Sequence, residues 1–514
     1  MEVTETPIVT VMKDILRPDK VLETHISTVF IKDDFVYKVK KSVDFGFLDF
    51  SSKKKRKGMC IVEKDLNERF SEGIYLEVLK IARKEKEFVL VPFDSSLLTL
   101  DYCLKMKRIP DEDFLLYKVK EGEVDSKDAV NIGKKIAELF KGLKTDVDAA
   151  ELNGSAEIVK QNCVENFDQM EPFVGKFIDS GMLAFVNKQT VKYLEENFEI
   201  LNSRVKDGFV VDGHGDLRLE HIYMTEDDFG LLDCIEFNKR FRFNDVMSEI
   251  SFLCTESDLM GDTAFADGLM DGFLSVYDDD NSRELINFYK TYRAMVRAKV
   301  ACFTIADKDE SWEGYVDKKA EIAKYMDMAV TYAANMFETG SLIFYGLMAS
   351  GKTKNARVFS ELYPVEHINT DVVRKLMHGI DPDTDIHVDY AADLYSPENS
   401  KKLYEALGEM AENNRKLGRM TLIDGSFSKK SYIEDIKKNY NGGYLKVHFS
   451  APDDVIIDRL EKRIGKTGAS DGRIEIYEDQ KLSAEEIGAD FEVETLGKTE
   501  DNAKDIIGYL IDKK

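Results

Sequence analysis

Only six cysteines occur in 514 residues, and no two form a C-x-x-C pair. Cys60, Cys103, Cys163, Cys234, Cys254 and Cys302 are scattered along the chain. That excludes a disulfide framework or a cysteine zinc site and reads as reduced thiols of a cytosolic protein. No apolar run approaches the roughly 20 residues that cross a bilayer. The opening, MEVTETPIVT, has no signal-peptide pattern. Positive charge is scarce: 72 Lys and Arg stand against 97 Asp and Glu, a net charge of −25. Bulk charge of that sign repels phosphate backbones and anionic membranes, which disfavours a nucleic-acid carrier or a membrane-surface protein unless a local basic groove overrides it. What is present is globular: 43% of residues are apolar and 11% aromatic. The length exceeds one hydrophobic core, so two or three domains are expected.

The most specific stretch runs from Ser341 to Asp371. An apolar run, Leu342–Tyr345, leads into GLMASGKT, which fits G-x-x-x-x-G-K-[ST] with Gly346, Gly351, Lys352 and Thr353. Glycine lets the backbone turn tightly enough for N–H groups, Ser350 among them, to surround a phosphate chain. The helix that starts there adds its positive dipole end. Lys352 reaches β- and γ-phosphates, and the Thr353 hydroxyl sits on Mg²⁺. ATP and Mg²⁺ are the expected cofactors.

Residues 1–120 read as a small sheet. Thr28–Ile31 and Phe35–Lys40 form two strands joined at Lys32-Asp33-Asp34, with Lys38 and Lys40 on one face of the second. VDFGFLDF (Val43–Phe50) is a loop that packs on a neighbouring lobe or covers a ligand. The basic run Lys53–Lys57 reads as the solvated start of a helix continuing through Cys60, Glu63, Leu66 and Phe70. Glu63 can turn inward to pair with a strand lysine. Phe88–Val91 and Leu97–Met106 add further strands.

Residues 121–338 are helical in period, with one break, Phe209–Asn238, that reads as strand, loop, short strand, turn, short strand. Asp216 and Asp233 stand at strand ends in that break. Phosphoryl transfer needs one carboxylate at the acceptor hydroxyl and another at the metal. His214-Gly215-Asp216 is followed by Glu220-His221, and Asp233 comes 17 residues after Asp216. HGD with a downstream Asp resembles the aminoglycoside phosphotransferase/choline kinase group, a branch of the kinase-like fold. The longer string HGDLRLEHIY…LLDCIEFNKRFRFNDV, with VYKVKKSVDFGFLDF and Tyr292–Lys299, resembles a subgroup fused to a phosphate-loop kinase domain. The resemblance implies that Lys38 binds the α/β-phosphates, with Lys40 as the alternative, and that Glu63 orients the lysine. It implies Asp216 as catalytic carboxylate, His214 as a buttress of the loop and Asp233 as an Mg²⁺ ligand. His221 stands where the group carries a metal-binding Asn. Imidazole is a poor partner for Mg²⁺, so His221 holds metal, hydrogen-bonds phosphate instead, or marks a slow or silent lobe. Arg293 and Arg297, four apart on one helix, bind an anion or form an ion-paired face.

Beyond a junction at Glu338-Thr339-Gly340, strands and helices alternate, which implies a parallel sheet with ligands at the strand carboxyl ends. Asp424 closes the run Met420–Ile423 and is placed to orient Mg²⁺ or its water. Asp371 opens a helix containing Arg374; it caps that helix, or lies near the phosphate loop. T-D-x-x-R resembles the zeta-toxin/gluconate kinase/polynucleotide kinase group of the AAA-type ATP-binding domains. There the Asp accepts the acceptor hydroxyl proton and the Arg steadies a substrate anion. Arg459–Gln480, basic at its start, looks like a lid, with Arg459, Arg463 and Arg473 as candidates to cover the transferring phosphate.

The expected fold is an α+β protein-kinase-like, two-lobed region (lobes 1–120 and 121–338) followed by an α/β parallel-sheet P-loop NTPase domain (339–514). The expected function is a bifunctional ATP-dependent phosphotransferase acting on a hydroxyl of a small polar molecule, cytosolic and without a membrane. Two alternatives stand beside it: a polynucleotide 5′-kinase activity in the last domain, and a nucleotide-gated regulator with a silent kinase-like module.

Overall fold

The computed structural model describes residues 7–513 apart from 45, 47, 278, 280, 281, 337–339, 383, 385–392 and 463–473. Arg463, Arg473, two phenylalanines of the Val43–Phe50 loop and most of the expected junction therefore lie outside the described residues. The chain divides into two compact units: Met1–Asn162, Asn197–Ser257 and Ala264–Asp278 form the first, and Cys163–Glu196, Asp258–Thr263 and Asp279–Lys514 the second.

The first unit begins with six antiparallel strands: β1 (Lys20–Glu23), β2 (Ser27–Lys32), β3 (Phe35–Lys40), β4 (Tyr75–Lys84), β5 (Glu87–Pro92) and β6 (Leu98–Lys107), in the order β1-β2-β3-β6-β4-β5. The helix Pro7–Leu16 covers one face, where Val9, Val11 and Met12 pack with Phe30, Val39, Leu79, Ile81 and Cys103. The helix Lys53–Asn67 contacts β4 and β6, and its Cys60 packs with Tyr75, Val78 and Leu104. Ser52 caps that helix by accepting from the Lys55 N–H. Its basic start is only partly solvated. Arg56 is buried against Asp101 and the Phe50 carbonyl, and Lys57 lies over the Phe93 ring.

The helix Ser126–Lys141 meets residues of Thr263–Leu274 at backbone distance: a Cβ on Gly133 would stand 2.0 Å from the Leu269 carbonyl. The non-helical break contains β7 (Val210–Asp212), the hairpin β8 (Ile222–Met224) and β9 (Phe229–Leu231), and β10 (Phe243–Asp245), which pairs with β7. The strand–loop–strand–turn–strand order expected for this segment is the observed one.

The second unit holds the helices Ser180–Glu196, Ser282–Ile305 and Tyr315–Ala334 and a five-stranded parallel sheet. Its strands are β11 (Ser341–Tyr345), β12 (Val365–Asn369), β13 (Met420–Gly425), β14 (Tyr444–Ser450) and β15 (Phe491–Glu494), in the order β12-β13-β11-β14-β15. β11 and β13 are buried along their whole length, as continuous apolar runs in a parallel sheet must be. The register sets Phe344 beside Asp424, so the ends of β11 and β13 converge on one site.

All six cysteines are buried thiols outside any disulfide. Burial raises the thiols of Cys60 and Cys163 to about 12, so they pack as small apolar groups and not as nucleophiles. Among the described residues no helix is long and apolar enough to cross a membrane.

Candidate active sites in the two units

In the first unit β3 presents Lys38 and Lys40 on one face, and both meet Glu63. Lys38 Nζ lies 2.8 Å from Glu63 Oε1 and 2.5 Å from Asp233 Oδ1. Lys40 Nζ lies 2.6 Å from Glu63 Oε2 and pairs with Glu236 as well. The two lysines divide by exposure: 1% of the Lys40 side chain is accessible against 12% for Lys38. Lys40 is thus a buried cation between two carboxylates, and Lys38 is the more accessible of the two.

Burial alone would raise the Glu63 carboxyl, but the two ammonium groups overturn that and hold it below its ordinary value. Burial would depress Lys38; Asp233 and Glu63 keep it charged, well above its usual range. Partial desolvation works against the charge on the half-exposed Asp233, and Lys38 reverses it, so the carboxyl titrates below its usual range.

The loop between β7 and β8 is fixed from several sides. His214 is fully buried; its Nε2–H donates to the Leu232 carbonyl at 2.8 Å and its Nδ1 accepts the Asp216 N–H at 3.3 Å. Burial, with His221 adding, lowers its pKa to about 4, so the ring is neutral. His214 therefore ties the residue before Asp233 to the backbone of Asp216. Glu249, on the helix Val246–Leu259, accepts the N–H groups of His214 and Gly215 through one buried oxygen at 3.0 and 2.8 Å. Gly215 is required where it stands: φ is 86°, and a Cβ would meet the Phe241 carbonyl at 2.7 Å. Asp233 also has positive φ, 65°, held by its N–H to the Tyr75 hydroxyl and by the Cys234 N–H to Asn67 Oδ1. A strained non-glycine residue persists only where its surroundings over-determine it.

His221 lies between the two carboxylates. Its Nδ1 is 2.7 Å from the Asp216 carbonyl oxygen and 3.8 Å from Asp216 Oδ2, and its Nε2 is 4.0 Å from Asp233 Oδ2. Arg218, two residues after Asp216, is anchored by Glu256 and Glu220. Sequence reasoning missed Arg218, Glu236, Glu249, Tyr75 and Asn67. Only Glu236, three residues after Asp233, left a local signal, as a carboxylate at the end of an apolar run.

In the second unit the phosphate-loop pattern folds as its glycines demand. Gly346 has φ 153° and a Cβ there would meet the Phe449 carbonyl at 2.2 Å; Gly351, φ 96°, begins the helix Lys352–Leu362. The Thr353 hydroxyl donates to Asp424 Oδ2 at 2.6 Å. Asp424 is fully buried and takes Asn369 Nδ2 on both oxygens and His367 Nε2 on Oδ1 at 2.6 Å. The buried Ser350 Oγ has no hydrogen-bond partner among the described residues, an acceptor-seeking hydroxyl inside the cradle. Lys352 Nζ donates to the Leu347 carbonyl of the loop.

Asp371 does not cap its helix. Asn369 does, its Oδ1 accepting the N–H groups of Asp371 and Val372 at 3.0 Å each. Arg374 is buried, 4.7 Å over the Tyr395 ring, with Nη1 on the Leu394 carbonyl and Nε without a hydrogen-bond partner among the described residues. Arg459 stands on the helix Asp453–Glu461 and is not a lid residue. Its Nη1 donates to the Ala349 carbonyl and to Thr495 Oγ1, both at 3.0 Å, so it braces the phosphate loop. Gln480, at the far end of the expected lid, accepts the Met348 N–H at 2.8 Å. Both ends of that segment thus grip the loop backbone. Arg297 is ion-paired, 3.7 Å from Glu321, as expected of a helix face.

A family model described as an AAA domain matches residues 342–487. An uncharacterized protein of Mycobacterium tuberculosis (strain ATCC 25618 / H37Rv) and one of Mycobacterium bovis (strain ATCC BAA-935 / AF2122/97) are each 24% identical over 459 residues, 89% of this chain and 88% of theirs. Among solved structures, a choline/ethanolamine kinase family protein from Mesorhizobium loti is 11% identical, spanning 60% of this chain and 86% of its own, with a TM-score of 0.35. A gluconokinase from Sinorhizobium meliloti 1021 is 18% identical, spanning 34% and 93%, with a TM-score of 0.26. The chain has an α+β region with a six-stranded antiparallel sheet, followed by a parallel α/β sheet whose first strand leads into the phosphate-loop pattern, and residues 342–487 of that second part are similar to an AAA domain.

Proposed function

We propose that the chain is a two-module ATP-dependent phosphotransferase, with a kinase-like module built of lobes 1–120 and 121–338 and a phosphate-loop module in 339–514. Each module passes the γ-phosphate to a hydroxyl of a small polar molecule. The observation that carries a second phosphate site, beyond the one the loop motif announces, is Lys38: a single cation bridging Glu63 and Asp233. That is the arrangement in which a lysine is aimed at phosphates while a carboxylate stands ready for their metal.

The residues fit a divalent ion in both places: Thr353 and Asp424 would hold it in one module, Asp233 and His221 in the other. When bound, the ion neutralises charge on the phosphates. Lys38 and Lys352 orient the nucleotide. Asp216, whose backbone oxygen accepts from His221 Nδ1, is the carboxylate that accepts the acceptor hydroxyl proton in the first module. Asp371, released from capping by Asn369, takes that part in the second.

The test is ATP turnover against a pool of small hydroxyl compounds, with Asp216→Asn and Asp371→Asn beside wild type. Each variant is expected to lose one transfer activity by roughly 10²–10⁴-fold, the usual share of a positioned base. ATP hydrolysed with no phosphorylated acceptor, and unaltered in both variants, would sink the assignment.

A further inference from the structure

We propose that the ion held with nucleotide in the kinase-like module is a first-row transition divalent cation, ligated by His221 Nε2 together with Asp233, in preference to Mg²⁺. This rests on the reading of that site as nucleotide-binding.

The tautomer of His221 follows from one contact. Nδ1 lies 2.7 Å from the backbone oxygen of Asp216, and a carbonyl oxygen only accepts. Nδ1 therefore carries the hydrogen, and the lone pair of the neutral ring is on Nε2. A ring N–H held on a backbone carbonyl is the usual outer support of a metal-binding imidazole: it fixes ring orientation and raises basicity. His214, its ring centroid 5.8 Å away and near parallel, limits rotation further.

Nε2 makes no hydrogen bond among the described residues. It faces Asp233 Oδ2 at 4.0 Å and Glu220 Oε1 at 3.8 Å. Two ligands bound at right angles at roughly 2.0–2.2 Å stand about 3 Å apart, so Nε2 and Oδ2 would close by about 1 Å on an ion between them.

The charges around it lean the same way. Lys38 and Lys40 face three carboxylates, Glu63, Glu236 and Asp233, which leaves one negative charge, on the most exposed of the three. Among the described residues no three His, Cys, Asp or Glu side chains converge as a cage, so phosphate oxygens complete the sphere. An amide oxygen at this position would suit Mg²⁺; an imidazole nitrogen moves affinity up the series from Mn²⁺ toward Co²⁺ and beyond, because Mg²⁺ gains little from nitrogen.

The experiment uses full-length protein carrying Lys352→Ala, which removes nucleotide from the phosphate loop, loaded with Mn²⁺ and ADP. Pulsed electron paramagnetic resonance is expected to detect imidazole nitrogen coupled to the bound Mn²⁺. Adding His221→Asn is expected to abolish that coupling while Mn²⁺ and ADP still bind, and to lower the Mn²⁺-over-Mg²⁺ preference, read by competition, by roughly tenfold or more. His367 is unchanged in the double variant, so a coupling that survives comes from elsewhere and overturns the assignment. Bound Mn²⁺·ADP without nitrogen coupling in the parent overturns the imidazole ligation and leaves the nucleotide site standing. Absence of any ADP binding in the parent overturns both.

Discussion

Two lysines two residues apart on β3 have opposite fates, and the reason is how buried the second carboxylate is that each meets. Lys40 is enclosed by Glu63 and Glu236, and removing it would strand the buried Glu236 and leave Glu63 with Lys38 alone. Lys38 shares Glu63 but reaches the half-exposed Asp233, so it can exchange a protein partner for phosphate. Sequence alone named both lysines and Glu63, because a lysine inside a strand is conspicuous. The resemblance put Lys38 first with Lys40 as the alternative; the residues alone could not separate them, because Glu236 arrives from nearly 200 residues away. His214 carries a pH signature. Burial lowers its pKa from 6.5 to about 4, so the unfolded chain binds the proton first as pH falls. The stability it contributes is complete above pH 6.5 and is lost between there and about pH 4. Urea midpoints at pH 7 and pH 4.5 are expected to differ less for His214→Gln than for wild type; an equal difference would remove His214 as the source.

At the scale of elements, the parallel sheet was the most legible part. Leu342–Tyr345 and Met420–Ile423 are continuous apolar runs ended by a functional residue, and β11 and β13 lie where those runs do. The amino-terminal sheet was half visible. β4 alternates poorly, with a register irregularity between Tyr75 and Glu77, and so escaped a period-two reading. The helical period read over residues 121–338 hides a break at Asn197 between Ser180–Glu196 and Phe198–Lys206. Asn369 shows how one side chain joins two elements. Its Oδ1 caps the helix bearing Asp371 while its Nδ2 holds Asp424 at 3.0 and 3.1 Å. Asn directly before Thr370-Asp371 was a start signal in its own right. Asn369→Ala is expected to cost about 1 kcal/mol of stability for the lost cap. It is also expected to weaken turnover in the phosphate-loop module while sparing the other. Equal loss in both, measured with the two acceptors separately, would show a general folding defect instead.

Across the whole molecule, the proposed function places a set of phosphate-directed groups in each of the two units. The expected stoichiometry is therefore two ADP per chain by titration calorimetry. Lys352→Ala and Lys38→Ala are each expected to reduce it to one, and the double variant to none. A wild-type value of one would leave a single working site. What sequence could not supply at this scale is acceptor identity. Acceptor contacts come from many side chains brought together late, whereas a phosphate chain is met by one short loop.

The six buried thiols also provide a built-in clock for opening. Cys60, Cys103, Cys234 and Cys254 belong to the first unit, Cys163 and Cys302 to the second, and no cysteine follows Cys302. An alkylating reagent followed by peptide mass spectrometry would thus time the exposure of each unit separately in one sample. It would pass over the parallel sheet altogether, so nucleotide protection there has to be followed by a probe other than thiol chemistry.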